Sequence, residues 1–134
     1  MKTISTDGAP AAIGPYSQAM THNGVVYCSG QIGLRPDGQW AGATPAAQAK
    51  QALANLDAVL EAAGSSRECV IRATIFLASM DDFGVVNEIY ADYFGDHRPA
   101  RACVEASRLP KDALVEISTH LSYSGFALPF IIPG

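Results

Sequence analysis

Two stretches of helical apolar spacing, separated by one nearly unbroken apolar run, constrain this chain most. In the first, Leu53, Leu56, Leu60 and Ala63 recur at three- and four-residue intervals, the period that lines one face of a helix. Thr44 and Pro45 supply a cap and a first-turn proline ahead of it, and Gly64 ends it. In the second, Phe83, Val86, Tyr90, Tyr93 and Phe94 form the stripe. Ser79 and Asp82 precede it at capping-box spacing, with aspartate weaker than glutamate in that role. Between the two, residues 69–78 (CVIRATIFLA) read as an interior strand.

The flanking segments add strands. Asn23-Gly24 between residues 19–22 and 25–29 is a strong hairpin signal, and Gly14-Pro15 shapes a turn before it. After Gly30, the region through Pro36-Asp37-Gly38 and Gly42 reads as a loop. Two more alternating runs flank a turn at residues 109–112 (LPKD). The predicted order is strand–strand–helix–strand–helix–strand–strand. Two helices covering one face of a mixed sheet make an α/β two-layer sandwich whose other face is free for assembly with further copies.

In the last two runs, chemistry sits on a strand parity. Arg101, Cys103, Glu105 and Ser107 share one parity and Ala102, Val104 and Ala106 the other, while Glu116, Ser118 and His120 oppose Val115, Ile117 and Leu121. Paired as a hairpin, the runs would turn Arg101 and Glu116 away from a Val104/Val115/Ile117 core toward one space, where a small anion could sit.

The 134 residues make one domain large enough for a core without metal or disulfide staples. A formal charge of −4, with nine scattered basic residues, argues against nucleic-acid or membrane binding. Cys28, Cys69 and Cys103 form an odd set without CxxC spacing, which favours reduced thiols and a cytoplasmic setting. The start of the sequence lacks the basic-then-apolar pattern of a secretory signal. The apolar end, residues 126–133, is far below bilayer-spanning length and reads as a cover for an edge or interface, or a loosely held tail.

Five motifs in order then resemble the Rid (reactive intermediate deaminase) family, particularly its RidA-like branch. They are AAIGPYSQA (residues 11–19), SGQI (29–32), ATIFL (73–77), Phe83 with NEIY (87–90), and PARACVEASRLP (99–110). The likeness spans residues 3–121, so residues 1–121 are assigned to one family domain and 122–134 to an atypical tail. The resemblance implies a chorismate-mutase-like homotrimer with clefts between subunits. It also implies hydrolysis of reactive 2-imino acids, such as 2-iminobutanoate and 2-iminopropanoate, to 2-oxo acids and ammonia. No metal or organic cofactor is implied.

Residue by residue, the likeness assigns roles that the chemistry supports. Arg101 matches the carboxylate-binding arginine, whose planar fork can donate two parallel hydrogen bonds; from the alternation alone, an interfacial salt bridge is an equal reading. Glu116 matches a water-contacting carboxylate suited to acid/base work, against the usual fate of a strand glutamate in solvent. Tyr16 can hydrogen-bond the bound acid and narrow the cleft, or simply anchor a loop. Ser29, Gly30 and Asn87 match pocket positions, and Asn87 equally suits a helix-stabilising role. Cys103 lacks an activating base nearby in sequence and is assigned to substrate positioning through its backbone rather than to covalent catalysis.

Gly33, Ala102 and Ser118 depart from residues common in the family, a proline, a serine and a carboxylate. Gly33 is expected to loosen the loop beside the pocket. Two other readings remain from sequence: a deaminase of a larger aminated acid, such as an aminomuconate-like intermediate, and a non-catalytic small-molecule-binding or protein-interaction trimer. The ribonuclease and translation-inhibition labels carried in the family find no His/Lys cleavage constellation here.

Overall fold

Asn23 and Gly24 adopt φ of 50° and 79°, the pair of left-handed residues that a two-residue hairpin turn requires. The structure is a computed structural model and describes residues 1–122. The elements run β1 (Lys2–Ile4), β2 (Ala19–His22), β3 (Val25–Gln31), α1 (Pro45–Ala62), β4 (Val70–Leu77), α2 (Phe83–Phe94), β5 (Ala100–Glu105) and β6 (Val115–Ser122). The predicted order holds, with β1 added as a short edge strand paired to β2. The strands form one sheet in the order β1-β2-β3-β6-β4-β5.

Both helices arise where the spacing places them. Thr44 Oγ1 accepts the Ala47 N–H at 3.1 Å at the start of α1, a cap worth about 1 kcal/mol. Leu53, Leu56 and Leu60 are buried against Ile75, Leu77, Val115, Ile117 and Leu121 of the sheet, each leucine contributing about 2 kcal/mol. The Ser79 hydroxyl accepts the Asp81 N–H of a short 3-10 turn at Met80–Asp82, and α2 starts only after it. Ser79 therefore caps that turn rather than the helix. Both helices lie on one sheet face; Tyr27 and Val104, 45% and 43% exposed, lie on the other.

The expected hairpin between the last two runs does not form. β5 pairs in parallel with β4, the direction an intervening helix such as α2 allows, and β6 inserts between β3 and β4. The connection from β5 to β6 thus crosses the end of β4. The parity of β5 is corrected as well: Arg101 and Cys103 pair with the buried Ala73 and Ile75 on the helix side, while Val104 pairs with Phe76 on the face left uncovered by the described residues. Glu116 pairs with Phe76 from the other flank and faces that uncovered side.

Ser122 closes β6, one residue into the segment the sequence assigns to the tail. The remainder of that segment lies outside the described residues. Among the described residues, no helix is long and apolar enough to cross a membrane.

Candidate active site

Gly30 sits in β3 where β3 and β6 lose register, and it has no side chain because Glu116 fills the space. A Cβ on Gly30 would stand 2.7 Å from Cδ and 2.9 Å from Cγ of Glu116. The carboxyl group is half-buried in a recess of about 50 Å³ lined by Ile13, Tyr16, Gly30, Ile32 and Pro110. The recess adjoins an outer cleft of about 390 Å³ that also takes in Ser29. Burial holds the Glu116 carboxyl above the ordinary glutamate range. Among the described residues, no cation pairs with it.

The arm at residues 11–16 reaches this recess because Gln18 anchors it. The buried Gln18 amide donates to the carbonyls of Thr6 (3.1 Å) and Pro10 (2.8 Å), and its oxygen accepts the Thr6 N–H at 2.7 Å. Tyr16 Oη accepts the Ile13 N–H at 3.3 Å, so its own proton remains for a ligand. Ser29 differs: its hydroxyl donates to the Ser17 carbonyl at 2.6 Å. Ser29 can therefore offer a ligand an acceptor, while its proton ties the arm to β3.

Arg101, Cys103 and Asn87 lie on the helix side of β5 instead. The Arg101 guanidinium donates to Asn87 Oδ1 at 2.6 Å and lies 5.0 Å from the Tyr90 ring centroid and 5.7 Å from that of Phe83. Among the described residues, no carboxylate pairs with it. The Cys103 thiol is pushed up by burial, against the opposing pull of the Arg101 charge. It is a poor thiolate and hence a poor nucleophile. All three cysteines are free, and burial raises Cys28 to about 11.

The seven residues singled out from sequence thus fall into two groups. Tyr16, Ser29, Gly30 and Glu116 line one cleft on the uncovered side. Arg101, Cys103 and Asn87 gather on the opposite sheet face, so Arg101 and Glu116 do not share a space within one chain. Ile13, Ile32 and Pro110 as recess walls, and Phe83 and Tyr90 beneath Arg101, were not assigned to the site from sequence. The signal for the last two was present, since Phe83, Asn87 and Tyr90 fall at i, i+4 and i+7. Among the described residues, no group of three or more His, Cys, Asp or Glu side chains converges to hold a metal.

Gly33 corrects another expectation. A Cβ there would lie 2.6 Å from both Cα and Cβ of Gln48 in α1, so the loop is packed tightly onto the helix rather than loosened. Gln48 in turn donates to the Gly42 carbonyl at 3.1 Å and accepts the Leu114 N–H at 2.9 Å, fixing the approach to Glu116.

Known proteins share this arrangement of chain. The mouse protein named 2-iminobutanoate/2-iminopropanoate deaminase is 50% identical over 117 residues, covering 87% of each chain. A crystal structure from Entamoeba histolytica, described as an endoribonuclease L-PSP, superposes with a TM-score of 0.88 at 52% identity, covering 90% of this chain and 98% of that one. A Yersinia pestis structure described as a protein of the conserved Rid family gives a TM-score of 0.88 at 46% identity, over 90% and 98% of the two chains. The sequence profile described as Endoribonuclease L-PSP matches residues 6–121. With the profile spanning both groups of site residues, the chain belongs to the L-PSP, or Rid, family.

Proposed function

We propose that this protein hydrolyses small 2-imino acids to 2-oxo acids and ammonia at clefts between copies of a homotrimer, in the cytoplasm. The observation that carries the reading is the split of the site. A guanidinium that has no carboxylate partner among the described residues stands on one sheet face and a desolvated carboxyl on the other, and a neighbouring copy laid against the second face can bring one to the other. The names of relatives near 50% identity supply the substrate class.

In this reading Arg101 grips the substrate carboxylate with its free edge and so orients the planar imine. The Tyr16 hydroxyl donates to the bound acid. Water attacks C2, forming the new C–O bond as the imine nitrogen takes a proton, and Glu116 shares the proton movements of the carbinolamine. The raised Glu116 carboxyl suits this shuttling, because a proton carrier works best when its pKa approaches the working pH. The carbinolamine then expels ammonia and leaves the 2-oxo acid. The thiol of Cys103 forms no bond; its backbone helps seat the substrate.

The test uses 2-iminobutanoate generated in situ, its decay followed with the wild-type protein and with Arg101→Ala and Glu116→Ala, each expected to lose about 10²-fold or more. No acceleration by the wild type rejects the activity. The two inactive variants are then unfolded, mixed and refolded together. A site assembled from two copies regains about a quarter of wild-type activity, the chance that an intact arginine face meets an intact glutamate face. No recovery from mixed, assembled protein rejects the shared site.

A further inference from the structure

Among the described residues, Arg101 is held in place without its charge being consumed. An arginine on an edge strand has four rotatable side-chain bonds and would ordinarily be fixed by a carboxylate. Here it is fixed by three uncharged groups on a single stripe of α2. Asn87 Oδ1 takes one terminal N–H at 2.6 Å, and the rings of Tyr90 and Phe83 lie at 5.0 and 5.7 Å from the guanidinium carbon. Both separations are within the range of cation–π attraction. Tyr90 is only 6% exposed, so its ring cannot turn away without opening the core. Among the described residues its buried hydroxyl has no hydrogen-bond partner, and burial raises its pKa, with the Arg101 charge acting in the opposite direction. The platform is therefore neutral at physiological pH.

We propose that Phe83, Asn87 and Tyr90 form a neutral cradle that fixes the Arg101 fork while leaving its charge for a ligand carboxylate, so that Asn87 and Tyr90 are positioning residues acting through Arg101. This rests on the reading of Arg101 as the carboxylate clamp. It reassigns Asn87, which the sequence places as a substrate contact, to the arginine behind the substrate. A carboxylate at position 87 would satisfy the same geometry but would neutralise the clamp. The amide holds the fork equally well and leaves it cationic.

The cradle is tested by equilibrium binding of two probes, 2-oxobutanoate and the neutral 2-oxobutanamide, to the assembled protein, alongside KM and kcat for imine hydrolysis. Asn87→Asp and Tyr90→Leu should each weaken 2-oxobutanoate about tenfold or more while shifting 2-oxobutanamide by less than about twofold. KM should carry most of the kinetic loss. Tyr90→Phe keeps the ring and should restore carboxylate affinity to within about threefold. Where Tyr90→Leu fails to assemble, Phe83→Leu, at a half-buried position, takes its place with the same expected direction. Unchanged 2-oxobutanoate binding in folded Asn87→Asp overturns the cradle, as does equal loss of both probes. A wild-type protein that binds no 2-oxobutanoate overturns it too. Probe binding with the expected dependence, but no acceleration of imine decay, keeps the cradle and rejects hydrolysis instead.

Discussion

Replacing Gly30 with alanine tests whether Glu116 is held where the recess needs it. Gly30 lies within β3 and outside the left-handed region, so alanine meets no backbone strain there. Narrowing the unfolded ensemble would by itself stabilise the protein by about 0.4–1 kcal/mol. The space, however, is taken: a Cβ falls 2.7 Å from Cδ and 2.9 Å from Cγ of Glu116, and closer still to Oε2. Overpacking costs about 1–3 kcal/mol, and the carboxyl group, swinging toward water, recovers part of that by rehydration. The expected balance is a loss of about 1 kcal/mol, or about 4 °C in Tm for a domain of this size. Hydrolysis should fall about 10²-fold because the proton-sharing group has left. Gly84 in α2 is the control, since a Cβ there meets nothing within 4 Å. Gly84→Ala should stabilise by about 0.5–1 kcal/mol through helix propensity. Thermal unfolding and imine decay on the three proteins separate the effects. A Gly30→Ala protein that melts higher in step with Gly84→Ala, or that keeps the wild-type rate, refutes the reasoning.

Other substitutions read out separate parts of the site. Cys103→Ser should keep its rate within about threefold of wild type, since burial leaves the thiol protonated and the backbone is untouched; complete loss in an intact assembly would restore the nucleophile. Glu116→Gln should raise Tm at pH 7 while abolishing most hydrolysis. The folded pKa of Glu116 lies above its unfolded value, so the charged carboxylate is a burden present above the folded value and absent below the unfolded one. The Tm advantage should therefore vanish as pH falls through the window just above the usual glutamate range, and an advantage constant with pH would contradict it. Gly33→Ala should destabilise by about 1–3 kcal/mol in chemical denaturation, because the obstructing atoms include the backbone of Gln48. An unchanged midpoint would mean the loop has room after all.

Much of the fold was legible because it depends on local signals. The Asn23-Gly24 hairpin, the Thr44 cap and both helical stripes are set by neighbours within a few residues. Strand partners are not. β5 and β6 are separated by only a turn and a few residues, which suggests a hairpin, yet β6 carries a fully buried set in Val115, Ile117 and Leu121. A strand with that set gains most at the centre of the sheet, between β3 and β4. β5 has no comparable set: its six residues are exposed or half-buried. It goes to the edge, beside β4, where the crossover through α2 sets it parallel. β1 was missed because its three residues bury only Ile4.

The candidate site was legible as a collection of residues but not as a place. Strand parity identifies which residues share a face of one strand, whereas the face that becomes the core is decided by what the whole sheet buries. On β6 the apolar parity was clear and Glu116 was oriented correctly. On β5 the small alternate residues, Ala102 and Ala106 around Val104, resembled a core row, while the true inward row is Arg101, Cys103 and Glu105 along the sheet edge. There α2 accepts a guanidinium because it offers rings and an amide rather than aliphatic side chains. A cation and a carboxyl group that complement each other yet stand on opposite faces of one sheet cannot neutralise each other within the chain. On the proposed reading each remains available to a second copy, and a substrate carboxylate and a proton carrier would meet in the space between the copies.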